Sequence, residues 1–169
     1  MALVTFSKAL THHLAIFNKP SKAQLEAGNY RKERRSFQGL PVTIENPRGS
    51  IRSGRDKGGN EWAVSMQHDY GYVRGTLGTD GDHFDVYLGP DSTADTAFIV
   101  TTMAPPTFAK VDEQKAMLGF PTEAAARAAY LAHYDNPRFL GKITAMPMER
   151  FKRELATTRE RPRMLKAIP

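Results

Sequence analysis

From Gly39 to Leu118 the chain is a succession of short strand-forming runs set apart by glycine and proline. GLPVTIEN, residues 39–46, gives way to Pro47 and Gly49. Ser50–Gly54 and Glu61–Met66 bracket RDKGGN, whose glycines supply hairpin-turn chemistry. His83–Leu88 is strongly strand-like, and Thr96–Met103 stops at Ala104-Pro105-Pro106. Lys110–Leu118 reads as a further strand or extended segment. Helices come after the strands. Thr122 is a good N-cap with Glu123 in the first turn, and an alanine-rich run follows to His133. Gly141–Ala145 reads as a short strand. Pro147 then opens a helix to about Ala156, with Met148, Phe151 and Leu155 on one face. Strands followed by helices predict an α+β fold centred on a small barrel or curled sheet.

The front of the chain follows a different pattern. Leu3, Phe6, Leu10, Leu14 and Phe17 recur at helical spacing, which predicts a helix over 3–17. Pro20-Ser21 breaks it, and a short helix over Lys22–Ala27 stops at Gly28. The last residues, RERPRMLKAIP, are basic and interrupted by proline. The expected organisation is a helical appendage over 1–28, a main domain over 29–157 and a basic tail over 158–169. A chain of 169 residues suits one domain with its own core. Without cysteine it has neither disulfides nor a thiolate metal site, which fits a reducing compartment. It lacks the long apolar run of a membrane span and the basic-then-apolar start of a signal peptide. A cytoplasmic location with no membrane partner is the expectation. The formal charge of +6 favours anionic partners, a small phosphate compound or nucleic acid.

The stretch Tyr70–Pro90, YGYVRGTLGTDGDHFDVYLGP, is too polar for a simple core strand. Asp80, Asp82 and Asp85 form D-G-D-x-x-D at the mouth of a strand. On an extended backbone Asp82 and Asp85 face opposite ways, so the chain must bend at Gly81 for all to converge. Converging carboxylates repel one another unless cations lie between them. An all-oxygen set suits Mg²⁺ or Mn²⁺. The plainer reading is a polar turn with solvated aspartates. An EF-hand is excluded by spacing and by the absence of a closing glutamate.

Other groups extend the candidate site. Glu113 and Lys115 share one face of a strand and Asp112 takes the other. One acid would complete a metal site and the lysine would meet a phosphate oxygen; the alternative is an exposed strand with paired charges. Arg48, Arg52 and Arg55 surround the first hairpin with Glu45, and arginine grips phosphate in a forked geometry. Tyr70, Tyr72 and Tyr134 carry hydroxyls suited to phosphate or to a half-buried structural role. Arg31–Arg35, RKERR, is a solvated edge or a phosphate-facing patch. Trp62 reads as a core or hairpin anchor. His68 and His83 flank the acidic loop without a zinc spacing. No Walker loop and no G-x-S-x-G occurs.

Taken in order, IENPRGS, YGYVRGTLGTDGDHFDV and VDEQKAML resemble the soluble, family I inorganic pyrophosphatases, most closely the pyrophosphatase-like domain carried by phages and prophages. The resemblance runs from about Gly28 to Tyr134. It implies an OB-like five-stranded β-barrel with flanking helices and Mg²⁺-dependent hydrolysis of pyrophosphate. It also implies that Asp80, Asp82 and Asp85 hold metal, with Asp112 or Glu113 and the strand residue Glu45. Asp82 would help to activate water, Lys115 would contact phosphate, and Tyr70 and Tyr134 match tyrosines of the family. Departures lie mainly on the phosphate side. His83 replaces a proline, Met66 a tyrosine and Asp135 a lysine, TTMAPPTFAK lacks an expected acid, and Ile51-Arg52-Ser53-Gly54 replaces a K-x-E pattern. The metal half is kept better than the substrate clamp. The alternative is therefore a non-enzymatic virion or virion-associated protein on this fold, attached to phage structural proteins through its N-terminal helix. A homo-oligomer is compatible with either reading.

Overall fold

The computed structural model describes residues 20–27 and 30–166, so the helix expected over 3–17 lies outside the described residues. The chain divides into two compact units, Met1–Arg31 and Lys32–Pro169. In the first, α1 covers Lys22–Glu26. It is started by a reciprocal cap: the Gln24 amide donates to Ser21 Oγ at 3.2 Å and the Ser21 amide to Gln24 Oε1 at 2.8 Å.

The second unit opens with β1 (Glu33–Phe37) and β2 (Leu40–Asn46). Gln38 and Gly39 turn the chain between them in left-handed backbone conformations, φ 48° and 85°. Next come the hairpin β3 (Ile51–Arg55) and β4 (Glu61–Ser65), then β5 (Asp69–Val73) and β6 (Phe84–Leu88). β7 (Thr96–Met103) and β8 (Val111–Leu118) precede α2 (Glu123–Leu131), β9 (Leu140–Pro147) and α3 (Met148–Ala156). Thr122 caps α2, its hydroxyl accepting from the Ala125 amide at 3.1 Å.

The α+β pattern holds, but the sheet differs from the closed five-stranded barrel that was expected. Seven strands form one open sheet in the order β1-β2-β5-β6-β8-β7-β9, with β3-β4 as a separate two-stranded sheet. β1 and β9 stand at opposite edges. The charged run RKERR contributes the outer strand β1, where charge on an unpaired edge discourages pairing with other chains.

Alternation along the central strands divides the core in two. Val86, Leu88, Ala97, Ile99, Ala116 and Leu118 pack with Phe151 and Leu155 of α3. The residues between them, Tyr87, Phe98, Val100 and Met117, pack with Tyr70 and with Ala126, Ala129 and Tyr130 of α2. Helices on both faces of a sheet give three layers, and period-two patterning decides which layer each side chain joins. Residues near the C-terminus add to the first layer: Leu165 is buried, and its amide donates to Gln114 Oε1 at 2.7 Å. Gly71 is required where β5 crosses β2, because a Cβ there would lie 1.9 Å from the Thr43 carbonyl oxygen. Among the described residues no helix is long and apolar enough to cross a membrane.

Candidate active site

The site grows from one register. β6 and β8 run parallel, and Asp85 stands directly beside Lys115. β5 flanks β6 on the other side, with Tyr70 opposite Tyr87. Alternation then puts Tyr70, Asp85, Tyr87, Glu113 and Lys115 on the α2 side of the sheet. Lys115 is 3% exposed. Its ammonium contacts Asp85 Oδ2 at 2.5 Å, Glu113 Oε1 at 2.7 Å and the Tyr70 hydroxyl at 3.0 Å. Two of these contacts, to Asp85 and Tyr70, are hydrogen bonds, and Glu113 adds an ion pair. Tyr70 in turn donates its hydroxyl to Asp85.

Electrostatics follow from burial and pairing. Burial alone would lower the pKa of Lys115, but Tyr70, Asp85, Tyr134 and Glu113 outweigh it and hold the group well above its ordinary value. The amine is therefore charged at neutral pH. Burial raises the Glu113 carboxyl, as do Asp85 and Asp80, against the opposing pull of Lys115. Burial also raises Tyr70 far above the ordinary phenol range. Its hydroxyl stays protonated and remains a donor.

Around this centre lies an aromatic and cationic shell. Arg52 on β3 places its guanidinium 4.4 Å from the centre of the Tyr70 ring and 5.6 Å from that of Trp62. Trp62 is half exposed on the hairpin and lies across from Gly54. Tyr134 stacks on Tyr130 at 4.5 Å and lies 4.8 Å from Phe139. His133, just before it, is buried and committed at both ring nitrogens. Nδ1 donates to the Ala129 carbonyl at 2.7 Å, so Nε2 is the atom that accepts from the Gln67 amide at 3.0 Å.

The acidic loop is a tight turn. Gly81 takes φ +89°, the bend expected there. The Asp82 amide donates to Asp80 Oδ1 at 3.1 Å, and the Gly78 amide donates to the Asp82 carbonyl at 2.7 Å. Asp80 and Asp82 are exposed. Asp80 lines a small cavity with Glu113, His83, Gln114 and Arg163. His83 stacks on Tyr72 at 4.6 Å, and its Nδ1 donates to the Thr76 carbonyl at 3.0 Å.

The structure thus brings Asp85, Glu113, Lys115 and Tyr70 together, with Arg52 over Tyr70. Of the two acids on β8 it is Glu113 that faces Lys115, while Asp112 is exposed. Glu45 is paired instead with Lys32 at 2.5 Å. Arg55 pairs on the exposed hairpin with Glu61 at 2.5 Å. Arg48 is exposed, and its amide donates to Asp69 Oδ1 at 2.8 Å. Among the described residues no three His, Cys, Asp or Glu side chains lie close enough together to hold a metal ion. The donors that face one cavity, Asp80 and Glu113, are nonetheless hard oxygen ligands. Magnesium commonly takes one or two carboxylates and completes its shell with water and substrate phosphate, so these residues fit such an ion. Sequence reasoning overlooked Tyr87 and His133. Tyr87 was within reach, because it lies two residues beyond Asp85 and must share its face.

Comparison with known proteins agrees with the residue pattern. The family model described as Inorganic Pyrophosphatase matches residues 22–156. Among solved structures, an inorganic pyrophosphatase from Neisseria gonorrhoeae is 18% identical with a TM-score of 0.45, the match covering 71% of this chain and 88% of that one. One from Coxiella burnetii is 18% identical with a TM-score of 0.40, covering 72% and 94%. No curated protein matches. The span of the family match, most of the chain and the whole of the cluster just described, shows that this chain belongs to the inorganic pyrophosphatase family.

Proposed function

We propose that the chain hydrolyses pyrophosphate, or a closely related phosphoanhydride, to phosphate with the help of a divalent cation. The observation that carries the reading is the buried Lys115 between Asp85, Glu113 and Tyr70, with Arg52 over the Tyr70 ring. A fixed positive charge at the end of an acidic cluster suits a dense anion that arrives with its own counter-cations. Mg²⁺, or Mn²⁺, held by Asp80 and Glu113 with Asp85 close by, would neutralise charge on the phosphates and polarise them.

The chain's own residues divide the remaining work. Arg52 offers forked donors to phosphate oxygens, and Lys115 contributes charge from its place between Asp85, Glu113 and Tyr70. Tyr70 holds Asp85 and Lys115 in one geometry and is a positioning residue. Asp82, exposed at the Gly81 turn, accepts the proton of the attacking water. The water oxygen bonds to one phosphorus, the bridging P–O bond breaks, and its electron pair leaves with the second phosphate. Tyr134 closes the aromatic side of the site.

Phosphate release from pyrophosphate with Mg²⁺, compared between the wild type and Asp82→Asn, tests the reading. The substitution should lower the rate about a hundredfold or more without unfolding the protein. Equal release by both proteins would remove Asp82 from the chemistry.

A further inference from the structure

Tyr87 is the residue whose chemistry the fold leaves unspent. Its side chain is 0% exposed, and its hydroxyl is the one buried side-chain polar atom among the described residues that lacks a hydrogen-bond partner. Leaving a buried hydroxyl unpaired is destabilising, so the position calls for a reason. Its neighbours are not loosely arranged. The Tyr70 hydroxyl is bonded to Asp85 and Lys115, and that of Tyr130 lies 3.0 Å from Thr102 Oγ1. Lys115 donates to Tyr70 and Asp85 and is ion-paired with Glu113. The His133 ring, 4.8 Å away between centroids, is engaged at both nitrogens. The Tyr134 hydroxyl comes near enough to lower the Tyr87 pKa, as a hydrogen-bonding neighbour does, but the pair does not reach hydrogen-bond geometry.

We propose that Tyr87 is a further substrate-binding residue, its hydroxyl kept for an oxygen of the phosphate anion that Arg52 and Lys115 attract. The inference rests on the pyrophosphate reading above and adds to it a donor inside the site. Lys115 supplies charge while Tyr70, Asp85 and Glu113 hold its ammonium, so an anion drawn there gains from donors elsewhere. Arg52 and the Tyr87 hydroxyl are such donors. Arg52 and Tyr134, at the margin of the cluster, are only partly buried. A tyrosine hydroxyl carries its proton at neutral pH and is able to donate.

Tyr87→Phe removes that oxygen and keeps the ring. Calorimetric binding of pyrophosphate and of inorganic phosphate to the full chain, alongside thermal unfolding without ligand, reads both consequences. The expected result is unchanged or higher thermal stability with pyrophosphate affinity about tenfold weaker or worse. Undiminished affinity in a stable Tyr87→Phe protein overturns the assignment. A loss of stability, matched by Tyr134→Phe, marks a bond within the protein and overturns it as well. A wild type that binds neither anion refutes the parent reading and this one with it, an outcome distinct from a wild type that binds and a variant that binds equally.

Discussion

Lys115 has an unusual position for a lysine. A buried ammonium is tolerated only when its charge is matched and its polar contacts are met; here Asp85 and Glu113 match the charge, and Asp85 and Tyr70 accept hydrogen bonds. The converse also holds, since the acids depend on the lysine. Lys115→Met should destabilise the protein by about 3 kcal/mol, because it leaves Asp85 and Glu113 facing each other without a counter-charge. Chemical denaturation measures this. The same substitution should reduce pyrophosphate turnover about a hundredfold or more under conditions where the variant is folded. A variant as stable as the wild type would show that the contacts carry no net energy. Arg48, Arg52 and Arg55 teach a related lesson. In the sequence they are equivalent cations around one hairpin. In the fold Arg55 is engaged by Glu61 at the surface, Arg48 is exposed, and Arg52 alone among them lies over Tyr70.

At the scale of elements, the site depends on neighbouring strands that are far apart in sequence. The pairing of β6 with β8 sets Asp85 beside Lys115, and β7, which lies between them in the chain, is displaced outward. His133 makes a second such link, tying the end of α2 to the turn before β5 through the Gln67 amide. Burial lowers the His133 pKa, as does the nearby His68, while the Ala129 carbonyl works the other way. The net depression means that the unfolded chain binds the proton first as pH falls. Stability contributed by His133 is therefore complete above the unfolded value of about 6.5 and declines as pH drops through the lowered folded value. Protonation at Nε2 would abolish the bond from Gln67. Denaturation midpoints measured from pH 7.5 to 5 should fall, and His133→Gln should flatten that dependence. An equally steep decline in the variant would place the responsible group elsewhere.

Most strands were legible because their residues alternate between turn signals, and Thr122 announced α2 by its capping chemistry. The strand Asp69–Val73 was concealed within a polar, glycine-containing stretch. Its tyrosines read as ligands, although Tyr70 is core in its ring and polar only at its tip. Sheet closure was not legible either, since strand order is set by long-range pairing that adjacency does not encode. For the site, alternation assigned Glu113 and Lys115 to one face, as found, but could not foresee that Asp85 would be the lysine's direct neighbour. Nor did it reveal that Glu45 would be taken up by Lys32.

For the whole molecule, one region of the second unit holds the site. The family match spans residues 22–156, and the cluster of Tyr70, Asp85, Glu113 and Lys115 lies within it. The chain's net charge of +6 also favours an anionic substrate. The measurement that bears most directly on the account is phosphate release from pyrophosphate by the full chain across a titration of Mg²⁺. Release should be negligible without the cation, rise with its concentration and saturate. Release no greater than in buffer at every Mg²⁺ concentration, from protein shown to be folded, would contradict it.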